Sequence, residues 1–210
     1  MMDEQAAVAS LSLHVVLNPI FKELEADEHS IAAVQTLRTA FNKAEKDNPG
    51  VCQQFIGGLL EAEGININIP ETLLRLACTD CDVYVLRRPE PEFVQLNERA
   101  QLLKVILSRI PDQIGDRSRF LQTIKDIASA IRDLLDSVNE VSKKHQANPK
   151  LKEYKKALDN HKRVFVRNSK SFSDTLKRYF KDGQSENVFL SANRLINQTN
   201  TLLSTFKQAS

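Results

Sequence analysis

The amino-acid sequence predicts an all-α protein with an N-terminal group of short helices, a hinge, and a C-terminal antiparallel four-helix bundle. Three observations carry this. Only six glycines occur in 210 residues, so strands punctuated by glycine turns are scarce. Apolar residues recur at helical spacing almost throughout. Arg88-Pro89-Glu90-Pro91-Glu92 then places two prolines one residue apart, which no helix interior accommodates.

In the N-terminal third, Ser30 is placed to cap a helix carrying Val34, Leu37, Phe41 and Ala44 on one side. Asn48-Pro49-Gly50 breaks the chain, and Cys52, Phe55, Ile56, Leu59 and Leu60 form a second stripe. Short helices of this kind bury little by themselves. Either a partner or second copy covers the stripes, or they pack on the C-terminal half. Ile65 to Ile69 alternates like a strand but is short, stands alone and meets Pro70, so it reads as an extended connector. Pro70 opens a helix through Leu73, Leu74 and Ala77.

Four long patterns follow Pro91. The first runs from about Phe93 to Ile110 and stops at Pro111. The second places Phe120, Ile124, Ile127, Ile131, Leu134, Val138 and Val141 at alternating spacings of 4 and 3. The third starts near Pro149, holds Leu151, Tyr154, Leu158, Phe165, Phe172, Leu176 and Tyr179 on one side, and ends at Asp182-Gly183. The fourth carries Val188, Ala192, Leu195, Thr199, Leu202 and Phe206. Breaks at Pro111, Pro149 and Gly183 favour folding back into a bundle over one long coiled coil.

The composition argues against several function classes. The first residues carry no basic region and only a short, broken apolar stretch, so neither a signal peptide nor a membrane span is expected. Three cysteines, an odd number without framework spacing, point to a reducing, intracellular compartment. Cys78-Thr79-Asp80-Cys81 lacks the further ligands a zinc site needs and the strand–helix setting of a redox site. His14, His29, His145 and His161 match no catalytic or metal spacing. No phosphate loop or nucleophile elbow is present, so no enzyme, cofactor or metal site is expected.

The net charge of +2 conceals a basic segment. Residues 142–183 hold thirteen Lys or Arg against four Asp or Glu, a balance of +9, which leaves −7 for the rest. Such a segment suits nucleic acid, an acidic membrane or an acidic peptide, and also serves as an ordinary solvated face. Its aromatics, Tyr154, Phe165, Phe172 and Tyr179, fall on the apolar side, which argues against nucleic acid. On the second bundle helix, Lys125 and Arg132 are seven apart, and Leu121, Ala128 and Leu135 form an apolar strip at the same spacing. On the third, Lys170, Ser173 and Lys177 are spaced 3 and 4. If the two helices are neighbours, they frame a shallow apolar groove with cations on both edges, suited to an amphipathic helix with leucines and acids. On spacing alone, two ordinary faces of snorkelling Lys and Arg are the better account.

The segments FLQTIKDIASAI, SKSFSDTLK, YFKDG, SANRLI and STFK, with QTLR, AF, KAEK and NPG upstream and RRPEPEF at the boundary, resemble the programmed cell death protein ten family of cerebral cavernous malformation scaffolds. The likeness runs from about Asn18 to the end. It implies a helical dimerisation domain over residues 1–63, a connector and hinge with a helix over 64–91, and over 92–210 a four-helix bundle similar to focal-adhesion-targeting domains. It implies that the first module pairs with itself, or with the tail of a subgroup III germinal-centre (Ste20-like) kinase, through Leu37, Ala40, Leu59 and Leu60. It implies that the bundle binds leucine–aspartate (LD) motifs, as in paxillin, and related helices in the malformation adaptor and in striatin, through Lys125, Ala128, Arg132, Lys170, Ser173 and Lys177. The resulting expectation is a non-enzymatic cytoplasmic scaffold with Golgi and plasma-membrane association. The alternative is a peripheral phosphoinositide binder using the same basic face. Two departures stand out: Arg132 replaces the family's usual Lys, keeping charge with a different donor geometry, and Gly57-Gly58 replaces larger residues within a pairing helix.

Overall fold

The computed structural model describes residues 11–78 and 84–209, and every regular element in them is helical. Thr79 to Cys81 of the CxxC segment lie outside the described residues. A π-helical turn, Leu13–Leu17, leads into α1, Asn18–Leu24. Then come α2, Ile31–Asp47, and α3, Val51–Ala62. Residues 65–68 form no regular element, the Ile65 amide donating back to the Leu60 carbonyl, and α4, Ile69–Leu76, follows, where Asn68 accepts a hydrogen bond from the Glu71 amide and Pro70 occupies the first turn.

The bundle consists of α5, Pro91–Ser108, α7, Arg117–Lys144, α8, Pro149–Asp182, and α9, Glu186–Gln208. Between α5 and α7 lies a single turn, α6, Ile110–Gln113. Pro111 therefore opens a new turn as well as closing the previous helix. Capping follows local chemistry. The Asp116 carboxylate accepts from the Ser118 and Arg119 amides, and Asn148 accepts from the Lys150 amide ahead of Pro149. Gly183 ends α8 in the left-handed conformation, φ 72°. At Ser30 the position is a cap but the hydroxyl is not the capping group; it donates to Asp27, whose other oxygen accepts from the His29 amide.

Helix α5 packs along α7, and α8 along α9, while α7 and α8 approach closely only briefly. Helix α9 is central: 14 of its 23 residues are buried, polar Asn193, Gln198, Thr199 and Asn200 among them. It is closed on one side by α4, whose Leu73 and Leu74 enter the bundle core and whose Pro70 carbonyl accepts from Asn193 Nδ2 at 2.8 Å. Leu11 and Val15 join the same core. A second, separate cluster holds Leu13, Leu17, Phe21, Val34 and Cys52.

Candidate functional site

The groove anticipated between the second and third long helices is a depression of about 250 Å³ between α7 and α8. Its floor is apolar: Ile127, Phe172 and Leu176 are buried, and Ile124 and Ile131 are half-buried. Ala128, Lys170 and Ser173 line it directly, while Lys125, Arg132 and Lys177 are exposed on the same helices outside the lining. The apolar stripe along α7 is thus split. Ile127, Leu134 and Val141 face inward, and Ile124 and Ile131 serve the groove floor.

Local packing keeps the groove rim positive. Asp133, next to Arg132, turns to α5 and meets Arg99 at 3.5 Å. Lys125, Arg132 and Lys170 make no ion pair among the described residues. Lys177 differs, because it donates to Asp174 at 2.9 Å and holds that carboxyl below the usual range. Ser173 donates back to the Ser169 carbonyl at 3.1 Å, which leaves its oxygen lone pairs facing outward as acceptors. Tyr179 donates to the Ile114 carbonyl at 2.9 Å and stacks edge-on against Phe120, which ties α8 to the start of α7.

The N-terminal residues lie on a different surface. Leu37 is 46% exposed and Leu59 52% exposed; Ala40 is also exposed and Leu60 half-buried. Phe41 and Phe55 meet across the α2–α3 hairpin with ring centroids 5.1 Å apart. Leu37 and Leu59 each lie one turn further from the hairpin bend. Phe55, 44% exposed, extends this open apolar face; its place in the stripe signalled burial, and only the structure shows it uncovered. The hairpin bend itself is firmly made. Buried Glu45 accepts from the Gly50 and Cys52 amides at 2.8 and 2.9 Å, supplying negative charge to the start of α3. Burial, reinforced by Glu45, pushes the Cys52 thiol up to about 12, so it is an inert core residue.

Among the described residues, no group of three or more His, Cys, Asp or Glu is arranged to hold a metal, and no helix is long and apolar enough to cross a membrane. Comparison with known proteins decides the family. The model of the programmed cell death protein 10 dimerisation domain matches residues 5–66, and that of the programmed cell death protein 10 C-terminal region matches residues 67–159. The chain belongs to the programmed cell death protein 10 family. A programmed cell death protein 10 homolog from Caenorhabditis elegans is 32% identical over 217 aligned positions, covering 99% of this chain and 98% of the relative. The family's dimerisation domain carries the whole open α2–α3 face. Its C-terminal region begins just before α4, the helix that packs into the bundle, and its matched residues end within α8, ahead of Lys170, Ser173 and Lys177.

Proposed function

We propose that this member of the programmed cell death protein 10 family is a non-catalytic scaffold with two separate protein-binding surfaces. The α2–α3 face pairs with a second copy or with the tail of a subgroup III germinal-centre kinase, through Leu37, Ala40, Leu59 and Leu60. The α7–α8 groove binds LD-motif helices of the paxillin type and related helices of the malformation adaptor and striatin, through Lys125, Ala128, Arg132, Lys170, Ser173 and Lys177. Both surfaces on one chain bring a kinase and a groove ligand together, in the cytoplasm and at Golgi or plasma membranes.

The observation that carries the reading is the groove itself: an apolar floor with a small residue, Ala128, at its rim and unpaired cations on both helices. An amphipathic helix sets its leucines on the floor and its acids toward the rim. Exposed ion pairs contribute about 0.2–1 kcal/mol each, so one Lys→Ala change has a small effect. Reversing both Lys125 and Lys170 to Glu adds repulsion on both edges and should weaken an LD peptide by more than about tenfold, roughly 1.4 kcal/mol. Ala128→Asp should act similarly by blocking close approach. Fluorescence anisotropy reads the affinity and circular dichroism confirms folding. Unchanged affinity in the double reversal places the groove elsewhere.

A further inference from the structure

The seam between α7 and α8 does not end at the groove. The two helices run antiparallel in one consistent register. Ala128 and Ser173 line the groove together, as do Ile131 and Lys170. Further along, Asn139 Oδ1 accepts from Lys162 Nζ at 2.7 Å, and Ser142 and Asp159 share a second depression. In each of these pairs the two residue numbers add to the same total, so one antiparallel register sets both depressions along the same seam, although the helices approach closely only briefly.

The second depression is twice the size of the first, about 500 Å³ against about 250 Å³. Its floor is Leu151 and Leu158, both buried, and its walls carry Lys143, Lys152 and Lys155. Those three lysines are exposed and make no ion pair among the described residues. Among the described residues one acid, Asp159, lines the depression. An adjoining hollow of about 440 Å³ adds Lys156 and Arg163. One apolar position falls between the two depressions in this register. Leu135 is half-buried, and in the same register its opposite is Val166, which is 48% exposed.

We infer that this far end is a second subsite and that the seam takes one acidic amphipathic helix lying across both depressions. The inference rests on the groove reading above. Charge complementarity and continuity with the first groove select the occupant. The floor needs apolar side chains, the walls need carboxylates, and Val166 offers an apolar step between. Ala128 and Ser142 are fourteen residues apart, or about 21 Å along a helix. An occupant reaching both centres with about a turn and a half to spare at each end is about 24 residues long. Joining two footprints in one helix turns the second contact into an intramolecular event, which raises affinity without a stronger local contact.

The test uses the full chain and two synthetic helical peptides with leucines on one face and Asp or Glu beside them, of about 12 and about 24 residues. The longer peptide should bind at least about tenfold tighter. Shuffling its second half at fixed composition should remove that gain. Lys152→Glu with Lys155→Glu should remove the gain and leave the shorter peptide unaffected. Val166→Asp, at an exposed position clear of the core, should do the same. Equal affinity of the two peptides overturns the second subsite, while loss of the shorter peptide in the Lys125→Glu, Lys170→Glu protein still upholds the first. Failure of the shorter peptide to bind the parent removes both. If the Lys152 and Lys155 reversals leave the longer peptide unchanged but abolish flotation with phosphatidylserine vesicles, this end is a lipid-facing surface and the inference is wrong.

Discussion

The N-terminal module rests on five buried apolar side chains, Leu13, Leu17, Phe21, Val34 and Cys52, whereas the bundle shares one core that reaches from Leu11 to Ala209. Phe41, Val51 and Ile56 pack half-buried against that cluster, while Leu37, Phe55 and Leu59 stay on the surface. In the bundle the surplus is dealt with internally: α9 is buried nearly all round, and α4 folds back to cover it. Similar helical patterning thus leads to two outcomes. Where enough helices surround a stripe it becomes core, and where too few do it becomes a face for another chain. The α7–α8 seam lies between these cases, with its floor built and its roof missing.

The largest effect should come from removing the helix that closes the bundle. A chain beginning at Asn68 keeps Leu73, Leu74 and Ala77 against α9; one beginning at Glu92 does not. Deleting a single buried leucine side chain costs about 2–5 kcal/mol, and α4 supplies two with a buried alanine beside them. The longer product should melt cooperatively in a calorimeter. The shorter one should melt at least about 10 °C lower or show no sharp transition. Equal melting would mean that α4 only rests on the bundle.

The open face should respond in the opposite way, losing assembly without losing fold. Leu37→Asp with Leu59→Asp puts two charges where pairing would bury them, at a cost of about 3 kcal/mol or more to association. Light scattering should report a monomer, and circular dichroism an unchanged helix content. Val34→Asp, at a 3% exposed position, should instead unfold the module. A dimer that survives the first pair of changes would move the pairing face off α2 and α3.

Much of this was legible in the sequence, and the reasons differ by residue. Periodicity located the four long helices because Phe120, Ile127, Leu134 and Val141 are core in fact as well as in pattern. Proline marks the starts of α4 and α8, since Pro70 and Pro149 both sit in a first turn; the Asn68 and Asn148 side chains that accept from helix amides are seen only in the structure. Periodicity could not separate Ile124 and Ile131 from their inward neighbours, because that depends on how far α7 and α8 splay. The burial of Asn193 is invisible for a related reason: it is imposed by α4, more than a hundred residues away in the chain. Val166 follows Val164 and Phe165 in an unbroken apolar run, and only the structure shows that it is exposed while Phe165 is buried. The cations Lys125 and Lys170 fall at the spacing a groove edge needs, but spacing is weak support for a site, and the family resemblance is what strengthens it.

A smaller change sharpens the comparison at Gly57 and Gly58 in α3. A side chain at Gly58 would meet nothing within 4 Å, and one at Gly57 only Ile69 Cδ1 at 3.9 Å. Within one chain, no close approach requires either glycine. Gly58→Ala should therefore stabilise the helix by about 0.5–1 kcal/mol, read from a urea titration of the Leu37→Asp, Leu59→Asp monomer. In the parent protein the same change tests the neighbouring copy. Tighter or equal pairing means the partner leaves room for the methyl group. Weaker pairing, with the monomer still stabilised, means the glycine is there for a second chain's backbone.

The smallest effect concerns acid and the junction between the two regions. Glu90 caps α5 in an extended conformation, and its carboxylate is gripped by Arg88, which lowers it to about 2 and raises the guanidinium in turn. Glu92 lies below the usual range because its own backbone amide, in the first turn of α5, donates to it and His145 Nε2 contacts it at 2.6 Å. Both carboxyls bind protons more weakly in the folded chain than in the unfolded one, where Glu titrates near about 4.3. Their contribution is therefore complete above that value and is lost as pH falls below it, toward about 2 in the case of Glu90. The start of α5 should loosen over that window, seen as falling amide-exchange protection at Phe93 and Val94 after correction for the intrinsic rate. The middle of α9, buried far from these acids, should hold its protection over the same range. Glu90→Gln removes the group that titrates lowest and should leave the parent's pH dependence below about 3 largely absent. Loss at both places together would mean that acid melts the bundle as a unit and that the α5 cap is not its weakest point.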